Sequence, residues 1–444
     1  MAIQVSAGAE SPASPLARIS RVFPWVVFAL TFGLLLSDYM SRQVLSAVFP
    51  FLKQEWGLTD TELGSLTSVV ALTVGILAVP LSLVGDRWGR VRAIVVMAAV
   101  WSLATIGCAL AANYGQLLGA RLLIGVGEAA YGSVGLAVVL AVFSARRRAS
   151  LTGAFMAAGS FGSVLGVALG GVFATHFGWR WAFGIMGIFG LVLAGLYWAL
   201  ISERKLATHK IEDGAETGPV LAAGQQRAKL RTLFSTPAVV LAYLGGGLQL
   251  FIAGSLFAWL PSYFNRAYHL PAGQAAKVAA LFILIMGAGM VVCGMITDRI
   301  GRNRPISKWT IAIVFAALTV LFLGAAFAMH PGGGQKLLLA LGCFFAAGTT
   351  GPTGAMVARL THESIRATAF GTLTFFNNVL GLAAGPIVTG ALADRYGLVT
   401  AMKYVPLVAV VAVVLLLIGR RAYPSSIQRL ETAAAADAAA GGAE

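Results

Sequence analysis

The sequence predicts an all-α membrane protein of twelve transmembrane helices, arranged as two six-helix halves. Three observations carry that expectation: composition, the sidedness of the basic residues and an internal repeat. Of 444 residues, 58% are hydrophobic and 11% charged, and the mean hydropathy is +0.83. Soluble domains run at roughly 45–50% apolar and about 25% charged. A soluble enzyme, a nucleic-acid binder and a disordered scaffold are excluded on that ground.

Each span needs about 20 apolar residues. Runs of that kind lie near 24–50, 63–84, 93–112, 116–143, 151–175, 182–201, 238–264, 275–296, 308–329, 337–358, 367–391 and 400–418. They divide the chain into a polar tail 1–21, a first half 22–201, a polar linker 202–237, a second half 238–420 and a tail 421–444. No small-residue cleavage site precedes or interrupts the first run, which therefore reads as an uncleaved span. The Ala/Gly-rich end after Ala433 is expected to be unstructured.

The net charge of +15 follows topology. With twelve spans both termini share a side, and 23 of the 32 Lys and Arg fall there. The opposite side holds seven, namely Lys53, Arg180, Arg266, Lys277, Lys336, Arg395 and Lys403. Such a bias marks the cytoplasmic side, so both termini are expected in the cytoplasm, with the chain in a bacterial inner membrane. The basic excess is not a nucleic-acid patch. Cys108, Cys293 and Cys343 sit in apolar runs, so no disulfide framework is implied.

The repeat is doubled. Ser82-Leu83-Val84-Gly85-Asp86-Arg87-Trp88-Gly89-Arg90-Val91-Arg92 recurs as Gly294-Met295-Ile296-Thr297-Asp298-Arg299-Ile300-Gly301-Arg302-Asn303-Arg304. In the fifth and eleventh spans, Gly162, Gly166 and Gly171 match Gly381, Gly385 and Gly390. That second register sets Asp394-Arg395-Tyr396-Gly397 opposite Thr175-His176-Phe177-Gly178, on the outer side, and gives it no gating role. Two parallel repeats around a midplane site are a transporter pattern.

With the doubled Asp-Arg-x-Gly-Arg loop, and Arg121-x-x-x-Gly125-x-Gly127-Glu128 in the fourth span, the chain resembles the major facilitator superfamily from about 22 to 420. Asp38-Tyr39-Met40-Ser41-Arg42, with Arg121 to Tyr131, looks most like the spinster-like branch, with the organic anion symporter branch close behind. The resemblance implies that Asp86, Arg87, Gly89 and Arg90 help lock the outward-facing state. The second copy extends this to Asp298, Arg299, Gly301 and Arg302. Topology anchoring alone is the alternative for these Arg residues.

Four charges lie deep in the spans: Asp38, Arg42, Arg121 and Glu128. A charge at mid-bilayer costs at least about 2.5–3.5 kcal/mol, so such residues face a cavity and pair. Asp38 and Arg42 are four apart and share a helix face; Arg121 and Glu128 are two turns apart on another. Glu128 and Asp38 are thus candidate proton carriers, and Arg42 and Arg121 candidate anion binders, since guanidinium forks suit carboxylates. Two internal salt bridges that fix helix packing are the alternative. In the related branches the motif is usually Asn-Tyr-x-Asp-Arg. Here Asp38 holds the Asn position and Ser41 the acidic one, which makes Glu128 the better single proton site.

Tyr39, Tyr131, Gln249, Asn377 and Asn378 are further candidate substrate contacts, although helix–helix hydrogen bonds explain the last three equally well. Trp179, Trp181 and Tyr263 are expected as interfacial anchors. The glycine ladder of the fifth span fits static packing and a sliding interface alike. Gly125-Val126-Gly127 follows no strand, no phosphate-binding Gly-Lys-Ser/Thr loop exists, and His362-Glu363 lacks a second His, so no metal, cofactor or catalysis is expected. The expected function is secondary transport of a small organic solute, most simply an organic anion. The driving force is a proton gradient and the acting unit a monomer in the bilayer. An amphipathic lipid or drug is the alternative cargo. A non-transporting sensor on the same fold is the rival of another class.

Overall fold

A computed structural model describes residues 15–209, 233–234, 236–302, 305–361 and 365–441, which leaves most of the 202–237 linker outside the described residues. Twelve helices are long and apolar enough to cross a membrane: α1 (Val22–Trp56), α2 (Asp60–Val84), α3 (Arg90–Leu110), α4 (Tyr114–Val142), α5 (Ser150–Phe177), α6 (Trp179–Leu200), α7 (Pro237–Ala267), α8 (Ala272–Gly301), α9 (Ser307–Ala328), α10 (Gly333–Arg359), α11 (Thr368–Tyr396) and α12 (Leu398–Leu430). They match the twelve apolar runs of the sequence. An even number of passes returns both termini to one face, called here the termini face; the other is the far face. All three cysteines are free and buried.

Local chemistry sets the boundaries. Gly57, at φ +65°, turns the chain out of α1. Thr59 and Glu62 then form a reciprocal capping box that starts α2, satisfying amides that would otherwise be orphaned. α4 loosens at Ala129–Ala130, directly after Glu128. α11 contains a π-helical stretch, Asn377–Ala383, a form that recurs where a helix is bent for function. The helix of α12 continues unbroken to Gly441. The Ala-rich end expected to be unstructured is helical, because alanine is the best helix former and nothing in that stretch stops the helix.

The glycines resolve into two kinds of contact. A Cβ on Gly162 of α5 would meet the Leu36 carbonyl at 2.5 Å, and Gly166 sits equally close to Met40. Both contacts are with α1 of the same half. Gly381 and Gly385 of α11 repeat this against Leu250 and Phe251 of α7. The third member of each series does something else. Gly171 meets Ala276 of α8, and Gly390 meets the backbone of Asp60 and Thr61 in α2. Both of those contacts cross between the halves near the far face. Most of the ladder packs within a half, and its last rung packs across the halves.

Two sequence expectations about aromatics are corrected. Trp179 is 3% exposed with its indole N–H donating to Glu55, and Tyr263 is 1% exposed with its hydroxyl accepting from Gln335. Both are core residues whose polar tips find a partner, the exposed Glu55 for Trp179 and the buried Gln335 for Tyr263; Trp181 is exposed as expected.

Candidate functional site

Between the halves lies a cavity of about 310 Å³. Its two walls differ. The first half supplies Tyr39, Arg42, Gln43, Thr67, Ser160 and Ser163, and the second half presents an apolar wall led by Leu250, Phe257, Met286, Met290 and Leu382.

Arg42 is the charge that reaches this cavity. Its Nε lies 3.4 Å from Glu128 Oε2, an ion pair between α1 and α4 with side chains 16% and 3% exposed. Its Nη2 is buried and has no hydrogen-bond partner among the described residues. The Asp38 carboxyl is buried in the same charged cluster as Glu128, and Asp38 Oδ1 and both Glu128 oxygens have no hydrogen-bond donor among the described residues. Thus Asp38, Arg42 and Glu128 meet, with the two acids behind the guanidinium as seen from the cavity. The pairing differs from the sequence expectation, which joined Asp38 to Arg42 and Arg121 to Glu128. Shared faces along one helix are a matter of spacing, whereas the partner is set by how α1 and α4 are rotated against each other.

Arg121 is not at the cavity. It is fully buried, and its guanidinium donates to the carbonyls of Leu66, Ser41 and Arg42, each at 3.2 Å. It joins α4 to α1 and α2, and three carbonyl dipoles take the place expected for an anion. Tyr131 is likewise corrected: it is fully buried, stacks edge-on against Trp101 and donates its hydroxyl to the Thr31 carbonyl. Gln249 is fully buried and donates to Thr319 Oγ1 and the Ala346 carbonyl. Asn378 donates to the Thr374 carbonyl of its own helix, and its Cβ packs at Gly75 of α2. Asn377 does not line the cavity either. The second half turns the Gln249 and Asn378 amide N–H groups to partners of its own and leaves its cavity wall apolar. Sequence reasoning missed Gln43, Thr67, Ser160 and Ser163; the available signal was the three-residue spacing of Ser160 and Ser163 on one face of α5.

The far face is closed by a second charged cluster. Asp60 takes both Arg266 Nη atoms, at 2.6 and 2.7 Å, and Lys53 Nζ at 2.7 Å. Asp394 accepts from the backbone N–H groups of Asp60 and Thr61 at 2.7 and 2.9 Å, and from the Thr61 hydroxyl. A carboxylate at a helix start is favoured by the exposed amides and the helix dipole. Asp60 belongs to the first half, and Arg266 and Asp394 to the second. The expectation that Asp394 plays no part in gating took the termini-face loops as the only gates. The structure shows Asp394 tying the halves together on the opposite side.

At the termini face, Asp298, Arg299 and Arg302 are exposed, and Gly301 packs beside the Lys308 stem. Arg87 is exposed, and the side chain of Asp86 lies outside the described residues. Gly89 adopts φ +95°, and the Glu203 carboxylate lies over it while accepting from the Val91 N–H at 2.7 Å. Among the described residues, no hydrogen bond or ion pair from these loops joins the halves.

A family model described as Major Facilitator Superfamily matches residues 31–347. The chain belongs to the Major Facilitator Superfamily. It is a membrane transporter rather than an enzyme, as are its relatives. It is 28% identical over 396 residues to a probable L-galactonate transporter of Escherichia coli, covering 85% of this chain and 84% of that one. It is 30% identical over 333 residues to a gallate transporter of Pseudomonas putida, covering 69% and 72%. Among solved structures, a bacterial homolog of the human lysosomal transporter Spinster, inward-facing and unoccupied, superposes with TM-score 0.80. That match covers 91% of this chain and 98% of the other at 18% identity, and it shares the fold. The superfamily fold explains the two halves with a cavity between them.

Proposed function

We propose that this transporter carries a small organic anion together with a proton, by alternating access, and that Arg42 is the group the two share. The observation that supports this is the loose Arg42–Glu128 pair beside the cavity. An incoming carboxylate and Glu128 compete for one guanidinium. Protonating Glu128 releases Arg42 for the anion, and anion arrival favours a protonated Glu128; linkage makes the effect reciprocal. Asp38, beside Glu128, gives the proton a second carboxyl on which to reside. With Glu128 protonated and the anion on Arg42, the cluster carries the same net charge as the empty ion pair, so both states can cross the low-dielectric midplane.

The Asp60–Arg266 and Asp394 contacts act as the far-face gate, and the doubled termini-face loops as the opposing one. The excess of basic residues near the termini orients that face to the cytoplasm. The named cargo of two relatives, L-galactonate and gallate, supports an organic acid. A second reading, an amphipathic lipid or drug, draws on the apolar wall of the cavity and on the Spinster-like neighbour.

The test is flux by purified protein in liposomes under an imposed pH gradient. Uptake of an organic acid should rise with the gradient and lose that dependence in Glu128→Gln. Flux indifferent to the gradient in the unaltered protein would overturn proton coupling.

A further inference from the structure

The unequal walls of the cavity reach further than the word anion. We infer that the substrate is a small monocarboxylate with an apolar, flat body, such as an aromatic acid, bound with its carboxylate on Arg42 and its ring against Phe257, Met286 and Met290. This rests on the organic-anion reading and names the substrate class of the same site.

Three observations carry it. The first is the count of cations. Arg42 alone brings a positive charge to the cavity lining, because Arg121 is spent on backbone carbonyls. One guanidinium at the lining matches one carboxylate. The second is the wall contributed by α7, α8, α10 and α11, which presents only apolar side chains to the cavity. A polyhydroxylated acid would bury hydroxyls against it with no partner, at the cost of their hydration. The polar residues of the second half do not line the cavity. Gln249 already serves Thr319 and Ala346, and Asn378 serves Thr374. Thioethers and a phenyl ring, by contrast, are favourable surfaces for an aromatic ring. The third is size. At about 310 Å³ the cavity stands at the low end of ligand sites, which span roughly 300–1,000 Å³. That is the size of a one-ring acid.

The polar first-half wall places the head, and the apolar second-half wall places the body. A ligand that touches both also holds the halves in register, so selectivity and closure fall to one set of contacts.

The experiment is a thermal-shift titration of the full-length purified protein with benzoate, gluconate and lysophosphatidylcholine, repeated on Met286→Gln and Met286→Leu. Benzoate is expected to bind at least about tenfold tighter than gluconate. Met286→Gln should narrow that ratio by offering hydroxyls a partner, and Met286→Leu should preserve it. Gluconate binding as tightly as benzoate would overturn the aromatic class and leave the organic-anion reading standing. Stabilisation by lysophosphatidylcholine alone would overturn both. A ratio that falls equally in the Leu and Gln variants would overturn the role given to the apolar wall.

Discussion

Replacing Asp60 by Asn should open the far face. Asp60 binds charged groups from both halves: Arg266 by two bonds at 2.6 and 2.7 Å, and Lys53 by one at 2.7 Å. Lys53 belongs to the same half and travels with Asp60 when the face opens, so its bond cancels between the two states. Only the Arg266 fork is lost on opening. The Asp60 side chain is 3% exposed and that of Arg266 27%, which leaves moderate solvent screening. Replacing the carboxylate by a neutral amide while Arg266 keeps its charge removes about 2 kcal/mol from the closed state. The Asp394 bonds to the Asp60 and Thr61 amides use the backbone and survive the change. At 1.36 kcal/mol per decade, the open population should rise about thirtyfold. Phe49 supplies the reporter, being fully buried against Trp259 of α7 with ring centroids 5.2 Å apart. In a Phe49→Cys background, maleimide labelling in the open state should run about thirtyfold faster once Asp60→Asn is added, provided closing outpaces labelling. The three native cysteines are buried and set a low background. A rate within threefold of the parent would refute the claim that this carboxylate holds the face shut.

Other substitutions separate structural residues from site residues. Arg121→Leu should cost about 3 kcal/mol by removing three buried charge-assisted bonds, read as a melting temperature several degrees lower. A variant of unchanged stability that fails only with carboxylates would return Arg121 to the binding site. Gly390→Val should speed far-face labelling, as Asp60→Asn does, because the new side chain meets the backbone of Asp60 and Thr61. Gly162→Val, aimed at α1 of the same half, should instead lower the yield of folded protein. Gln249→Leu should leave substrate affinity within about twofold, since its partners Thr319 and Ala346 lie within the second half away from the cavity; a tenfold loss would place it at the substrate.

The sequence made the architecture legible because lipid allows little else. Backbone groups in hydrocarbon must be satisfied within helices, so counting apolar runs counted the spans. The depth of Asp38, Arg42, Arg121 and Glu128 was equally plain, since no other acidic or basic residue interrupts an apolar run so far from its ends. Their partners were not legible. Arg121 chose three carbonyls because α1 and α2 present their backbones where α4 crosses them, and that is a fact of helix rotation. Asp394 escaped notice for a related reason. Its role depends on the end of α11 meeting the start of α2, a pairing of residues 334 positions apart. For the polar residues of the second half, cavity lining and helix–helix hydrogen bonding stayed equally open, because composition cannot distinguish an amide facing a substrate from one already bonded to its neighbours. The glycine repeat was informative to the residue: the same three positions in each half divide into two that pack within a half and one that packs across.

The competition for Arg42 can be measured without any flux. Calorimetric titration of benzoate, in buffers of different ionisation enthalpy at one pH, counts the protons taken up per anion bound. If the anion displaces Glu128 from Arg42, binding should draw in up to one proton. Glu128→Gln should bind with no proton uptake, and its affinity should not change with pH. Anion binding that takes up no proton in the unaltered protein at any pH from 5 to 8, or uptake that persists undiminished in Glu128→Gln, would contradict it.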